Sequence, residues 1–327
     1  MIDFYVLGSG LSGSIIANLL NNKYSIEIID KAKGIGGRAS NKKIGQSISF
    51  DHGLQYFSSK NVLFNKYLEK FIKKKILKIW SGNHLDFTFK NNLNSKKIIG
   101  VRGNNDLNKY LLRNIKKNLS QEIINIHFKK THWEILSKKK KFKAKNLIIT
   151  FPFEQTKKLA KKYLSKNFLK QKVKMSPNIT LLIKQMTKQQ IPVCSIKFNN
   201  KVIAWAAHEN SKKRFKSKDS YWTIQASEYY SKKIINLYKK KRNHYSKIMV
   251  REFSDILSLN YKNLKVYKIH GWKYSSNKIG LNKKCYWDKK LRVGLCGDWF
   301  VGPKAESAWH SANILCNEIK KNPPNKS

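Results

Sequence analysis

The chain has 327 residues, 41% of them hydrophobic, which is enough for two domains or one large one with a proper core and is not the composition of a disordered protein. Its 68 Lys and Arg against 19 Asp and Glu give a formal net charge of +49. The basic residues are overwhelmingly Lys, are spread along the chain and come with abundant Asn and Ile, so the excess reads as AT-rich coding bias; with neither a Cys/His finger nor an RNP-type aromatic motif, no specific nucleic-acid partner is expected.

Phe4 to Leu7 is a short apolar run of the kind a buried parallel strand makes. Gly8-Ser9-Gly10-Leu11-Ser12-Gly13 follows at once, then a helical stretch from Ser14 to Leu20, a second strand from Ser25 to Ile29, and Asp30. A G-x-G-x-x-G is weak by itself and strong between a strand and a helix. Gly8 permits the tight turn, Gly10 lets a pyrophosphate approach the backbone, and Gly13 lets the helix pack on the strand. The helix start, with Leu11 and Ser12, then offers N–H groups and a positive dipole end to phosphate. Asp30 lies 17 residues after Gly13, close to the roughly 20 expected of a carboxylate that holds ribose hydroxyls.

Asp30 to Arg38 reads acid-Lys-x-x-x-x-Gly-Gly-Arg, with Lys31, Gly36, Gly37 and Arg38 in the fixed positions. This resembles flavoproteins of the glutathione-reductase and amine-oxidase kind. The resemblance implies non-covalent FAD, with Gly36 and Gly37 bringing backbone close to it and Arg38 placing a guanidinium near the pyrophosphate. Asp51-His52-Gly53-Leu54-Gln55-Tyr56-Phe57 after that loop is similar to the renalase family and its bacterial relatives. There the segment runs past the flavin ring, which makes Gly53 and Gln55 cofactor candidates and His52 and Tyr56 substrate candidates. For His52, a bond to a loop carbonyl and a catalytic role stay equally open.

Apolar residues from Asn61 to Trp80 recur at helical spacing, and Leu85–Phe89 and Ile98–Val101 look like strands. Asn105 to Leu119 reads as a helix. Ile123–Phe128, Trp133–Leu136 and Leu147–Thr150 read as strands; the family resemblance implies that the first lies beside the adenine, which makes Ile126 an adenine-contact candidate against a plain core role. Beyond 161 the doubly wound pattern stops. Leu181–Ile183, Ser195–Phe198, Val202–Ala207, Trp222–Ala226 and Val266–Trp272 suggest a mostly antiparallel sheet, and one long Lys-rich helix is expected within Ser231–Leu257. Eight of 16 glycines fall by position 53 and none lies between Gly103 and Gly271, so a second nucleotide-binding loop is missing and a pyridine nucleotide would have to bind at the flavin. The strand Leu291–Cys296 ends in Gly297-Asp298, and Ala305–Ile319 is a helix; this resembles the closing FAD motif of the superfamily, with Gly297, Asp298, Glu306 and Ala308 near the cofactor. Val301–Lys304 carries less glycine than that family usually has.

Cys194, Cys285, Cys296 and Cys316 form no C-x-x-C pair, which excludes a redox disulfide motif and a zinc site of ordinary spacing; no metal is expected, and the four read as reduced thiols. No run approaches 18 apolar residues, so no membrane span is expected. A strand at residue four predicts no signal peptide and a cytoplasmic location.

The expected fold is α/β: a Rossmann-type FAD-binding domain of residues 1–56, 98–157 and 285–322, an inserted, mostly antiparallel β-sheet plus helices substrate domain of 57–97 and 158–284, and a tail, 323–327. The renalase resemblance implies an oxidase that returns 2- or 6-dihydro isomers of NAD(P)H to NAD(P)+, passing hydride to flavin N5 and then to O2 to give hydrogen peroxide. Trp205 and Trp272 match its aromatic positions, and Gln225 stands where some members carry histidine. No residue is assigned a catalytic role. The alternatives are an amine oxidase or a carotenoid- or porphyrinogen-type desaturase on the same fold, and, further away, a basic nucleic-acid-binding protein.

Overall fold

A computed structural model describes residues 1–58, 60–88, 90, 96–187 and 191–324. The chain divides into two compact units, residues 1–37, 107–174 and 276–327, and residues 38–106 and 175–275. This division differs from the sequence reading: residues 38–56 and 98–106 belong with the second unit, and 158–174 and 276–284 with the first. The Asp51 carboxylate, held by Lys212 and Arg214, is what binds the first of these segments to its unit.

In the first unit the main sheet runs in the order Tyr286–Asp288, Val293–Leu295, Lys141–Ile149, Ile2–Leu7, Ile26–Ile29, Lys116–Asn118. All pairings are parallel except that of Tyr286–Asp288. Phe4, Val6, Leu7 and Leu147 to Ile149 are wholly buried, as strands covered on both faces must be. Trp133–Ser137 and Ile123–Phe128 add an antiparallel arm to the start of the Lys141–Ile149 strand. The helices Leu11–Leu20 and Ala305–Lys321 pack on each other.

The second unit holds a six-stranded sheet, Leu264–Asn277, Met175–Gln185, Ser220–Ala226, Ile203–His208, Ser195–Lys197, His84–Leu85. The middle pairings are antiparallel, and His84–Leu85 joins in parallel. Helices Glu228–Ile234 and Arg242–Ile256 bury Ile234, Met249, Val250 and Phe253 in one core with Trp222 and Ile224.

Three helix expectations need correction. The helix after Asn61 stops at Lys73, and Leu77–Ile79 is a strand paired with Ile98–Gly100. The helix expected over Asn105–Leu119 covers only Asp106–Leu111; Lys116–Asn118 is a parallel edge strand, fixed by Lys116 and Asn118 side chains that both bond Glu27. The single long helix of Ser231–Leu257 is two, Glu228–Ile234 and Arg242–Ile256, and the Tyr238 ring between them lies where a Cβ on Gly271 would be. Leu85–Phe89 is a strand only at His84–Leu85, and Phe89 lies outside the described residues.

A buried ionic group joins the two chain segments of the second unit. Lys212 Nζ lies 2.9 Å from an Asp51 oxygen and 2.9 Å from a Glu209 oxygen, with all three side chains fully buried. Arg214 bonds Asp51 and the Gly100 carbonyl, Asn41 and Asn104 bond the other Asp51 oxygen, and Thr223 bonds Glu209. Burial alone would raise the Asp51 carboxyl, but the Arg214 and Lys212 charges and these bonds outweigh it and hold it well below the usual carboxylate range. Burial pushes Glu209 up. Removing one partner leaves a charge buried and uncompensated, so Lys212→Met should cost about 3–5 kcal/mol of unfolding free energy. Urea denaturation checks this; a change under about 1 kcal/mol, within the range of an exposed pair, would show that the group is not a dry ionic cluster.

Candidate functional site

The first site is built on backbone. The Ile2–Leu7 strand ends at Gly8, whose φ of +107° belongs to the region side chains avoid. A Cβ on Gly13 would overlap the Gly8 carbonyl, so the helix from Leu11 approaches the strand end only because residue 13 is bare. A Cβ on Gly10 would meet nothing within 4 Å: the loop fronts open space where a ligand can approach the backbone. Gly10 is also the helix N-cap and has no side chain to cap the first turn. The second glycine pair folds onto this loop. Gly37, at φ +53°, would carry its Cβ 3.0 Å from the Gly10 Cα, and the Gly36 N–H bonds the Ser9 carbonyl at 3.1 Å.

Ser9 is the residue that the sequence did not single out. Its N–H and hydroxyl both donate to Asp30 Oδ2, at 2.7 and 2.6 Å. Its carbonyl accepts from Gly36 N–H, from the Ser14 hydroxyl at 3.3 Å and from the Asn108 amide at 3.4 Å. Asp30 Oδ1 accepts from the Ala32 N–H at 2.8 Å, and the residue is half-exposed, so lone pairs remain for ligand hydroxyls. Fully buried Asn108 also bonds Ser14 at 3.0 Å. Lys31 is exposed beside this group.

The same unit carries the closing motif. Val293–Leu295 leads through Gly297, whose N–H bonds the Ser311 hydroxyl at 3.1 Å, to a short turn beginning at buried Asp298. The Ala305–Lys321 helix starts without a side-chain cap, with Glu306 in its first turn and Ala308 buried. Ile126 is buried in the antiparallel arm, where its carbonyl accepts from Tyr163, a core position.

In the second unit the structure brings together most of the remaining candidates. A Cβ on Gly53 would strike the Arg38 carbonyl and come within 3.1 Å of the Trp272 ring. Gln225 donates to the Gly53 carbonyl at 2.7 Å, Trp272 to the His52 carbonyl at 2.8 Å, and Arg38 to the Ser275 carbonyl at 2.7 Å. Gln55 bonds the Asp51 and Gly53 carbonyls. Trp205 stands opposite Gln225 on the neighbouring strand, 5.7 Å from the Tyr56 ring. His52 and His270 meet edge to face at 5.3 Å with Trp272 against both. Burial, the His270 ring and Lys268 lower His52 to about 4, so its ring is neutral at neutral pH.

Residues 6–73 match the family model of a NAD(P)-binding Rossmann-like domain. Over the whole chain the structure is similar to a candidate protoporphyrinogen oxidase from Exiguobacterium sp. 255-15, with 9% identity, 98% of this chain and 99% of that one covered, and a TM-score of 0.72. It is also similar to a putrescine oxidase variant, A394C, at 9% identity, the same coverages and a TM-score of 0.70. Cyclohexylamine oxidase from Brevibacterium oxydans IH-35A matches at 9% identity, 98% and 99% coverage and a TM-score of 0.67. The chain therefore has a Rossmann-like unit with an added antiparallel-sheet unit, a fold it shares with these oxidases.

The histidines set an acid limit. Burial, Lys268 and Lys239 lower His270 to about 4, and burial lowers His208, stacked on Trp222, to about 4. Each group binds its proton more weakly folded than unfolded, so its contribution is complete above pH ~6.5 and is lost as pH falls towards 4. The melting temperature should drop steeply across that window, and His270→Gln should flatten the drop; a variant with the wild-type slope would remove His270 from the cause.

Proposed function

We propose that the protein is an FAD-dependent oxidase, renalase-like in its substrate: 2- or 6-dihydro isomers of NAD(P)H. The observation that carries the cofactor is the bare cradle at Gly10, walled by Gly13 and Gly37, with Asp30 fixed beside it by Ser9. Such a cradle accepts a pyrophosphate that any side chain at residue 10 would obstruct. The residues that would hold FAD are Gly8 to Gly13, Asp30, Gly36 and Gly37, with Asp298 and the start of the Ala305–Lys321 helix. Accepting a hydride and passing two electrons to O2, with hydrogen peroxide as product, is the chemistry FAD supplies when bound.

The chain's own residues then bind, orient and exclude water. Loss of hydride from a dihydronicotinamide leaves an aromatic cation, so no base is required, and the absence of an assigned catalytic acid or base suits this reaction. Trp272 and Trp205 supply flat apolar walls, and Gln225 and His52 supply fixed polar edges. A charge of +49 attracts the anionic phosphates of a dinucleotide and repels a protonated amine. The fold shared with putrescine and cyclohexylamine oxidases supports a second reading, oxidation of an amine.

Two experiments follow. Asp30→Ala should weaken FAD binding by roughly tenfold to several hundredfold, the worth of one or two charge-assisted bonds, in a titration of the apoprotein; unchanged affinity would take Asp30 out of the cofactor site. In anaerobic mixing, 2- or 6-dihydro-NAD(P) should bleach the flavin fast, ordinary 4-dihydro-NADH slowly and simple amines not at all. Bleaching by a primary amine within seconds, with the dihydro isomers inert, replaces the first reading by the second.

A further inference from the structure

Lys97 sits where a lysine is costly. It is 6% exposed, at the start of the Ile98–Gly100 strand, and its carbonyl extends the ladder by accepting from the Trp80 N–H at 2.8 Å. Strand alternation puts Lys97 on the same face as Ile99, which packs with Trp80, Cys194, Ala207 and Tyr56. Phe57 pairs with Ile98, and so Tyr56 lies alongside; the Lys97 ammonium is 5.5 Å from the centre of the Tyr56 ring. Among the described residues Lys97 makes no ion pair and no side-chain hydrogen bond. The sequence places no Asp or Glu at any of the other positions.

A second donor adjoins the same ring. The Trp205 indole N–H is buried and has no acceptor among the described residues, and the ring centre is 5.7 Å from that of Tyr56. Trp80 is on the other flank at 6.4 Å. One tyrosine ring thus has an ammonium over it and the Trp205 and Trp80 rings beside it, and among the described residues neither the ammonium nor the indole N–H of Trp205 has an acceptor. Buried lysines are ordinarily paired. The Asp51–Lys212–Glu209 group in this same unit shows such pairing in full. The cation–π contact offsets part of the burial of Lys97, while burial lowers its pKa. What the arrangement lacks is an anion.

We propose that Lys97, Trp205, Tyr56 and Trp80 form a binding site for a planar molecule bearing an anionic group, a carboxylate or a phosphate ester, with Lys97 as its charge partner. The aromatic rings take the flat part, and the ammonium and the indole N–H both donate to the anion. A protonated amine is disfavoured at this site, since it would face a like charge. The proposal deepens the reading above, because a dihydronicotinamide dinucleotide is such an anion, but it stands on the second unit's geometry alone.

The test is calorimetric titration of the FAD-loaded protein with benzoate, phenyl phosphate and benzylammonium. One or both anions should bind saturably, benzoate alone marking a carboxylate site and phenyl phosphate alone a phosphate site, and benzylammonium should not bind. Lys97→Met should weaken the anion about tenfold to a hundredfold, and Lys97→Arg should restore most of it. Trp205→Phe, which removes the N–H and keeps a ring, should weaken it several-fold and serves if the methionine variant does not fold. Wild-type affinity in Lys97→Met, no anion binding to the wild type, or equally tight benzylammonium each overturns the proposal. Because no turnover is read, failure of the dihydronicotinamide panel with success here rejects the substrate reading and leaves the anion site standing.

Discussion

The two glycine loops of the first unit and Asp30 are fastened together through Ser9. Its N–H and hydroxyl grip Asp30 and its carbonyl takes the Gly36 N–H, so the end of the second strand and the second glycine pair are tied to the first glycine loop. Ser14 and Asn108 close on the same carbonyl from two helices. The glycines permit close approach, while Ser9 decides what approaches. Without that tie Asp30 would be a half-exposed carboxylate free to turn to water. With it, one oxygen is spent on positioning and the other keeps capacity for a hydroxyl. Preorganisation of this kind saves the ordering cost that a mobile acid would incur on binding.

The second unit is organised by the opposite means, charge rather than backbone. Asp51, Lys212, Glu209 and Arg214 are two acids and two bases, neutral as a group, and Asn41, Asn104, Thr223 and the Gly100 carbonyl add hydrogen bonds to them. A buried ion group of this type is weak evidence for net stability, since hydrophobic side chains of equal volume often do as well. Its worth lies in specificity. Asp51 comes from residues 38–106 and the other three from 175–275, so only one docking of the two segments satisfies every charge. Asp51 begins the segment that carries His52, Gly53, Gln55 and Tyr56, and that docking sets their position against Gln225 and Trp272.

The glycine motifs were legible because each is a local demand: a turn, a close approach and a helix start within six residues. Ser9 was not, because its role is written at positions 30, 36 and 108, and a serine inside G-x-G has no signature of its own. Lys116–Asn118 is a strand with no apolar alternation to reveal it; its pairing with Ile26–Ile29 and its bonds to Glu27 decide the matter, while the helical period of Leu107, Leu111 and Ile115 pointed the other way. The break before Arg242 comes with the Tyr238 ring set on the bare Gly271, a contact between residues 33 apart in sequence. Trp205, Gln225 and Trp272 could be picked out by resemblance, but Lys97 could not be separated from the many other lysines of this chain until its burial was seen.

That last difference bears on how the charge is read. Several carboxylates on the surface are taken by a neighbouring lysine: Glu122 by Lys138, Glu134 by Lys141, Asp3 by Lys145, Asp219 by Lys184 and Glu228 by Lys232. Exposed pairs of this kind contribute little, about 0–1 kcal/mol each, and an excess of exposed lysine is tolerated at equally low cost. A coding bias can therefore fill the surface with lysine and leave the fold intact. It cannot fill the interior on those terms, because a buried ammonium must be paired, neutralised or matched by a ligand. Lys212 is matched by Asp51 and Glu209. Among the described residues Lys97 is met by a tyrosine face and by no carboxylate. Composition explains why lysine is abundant here, and burial identifies the lysine that abundance does not explain.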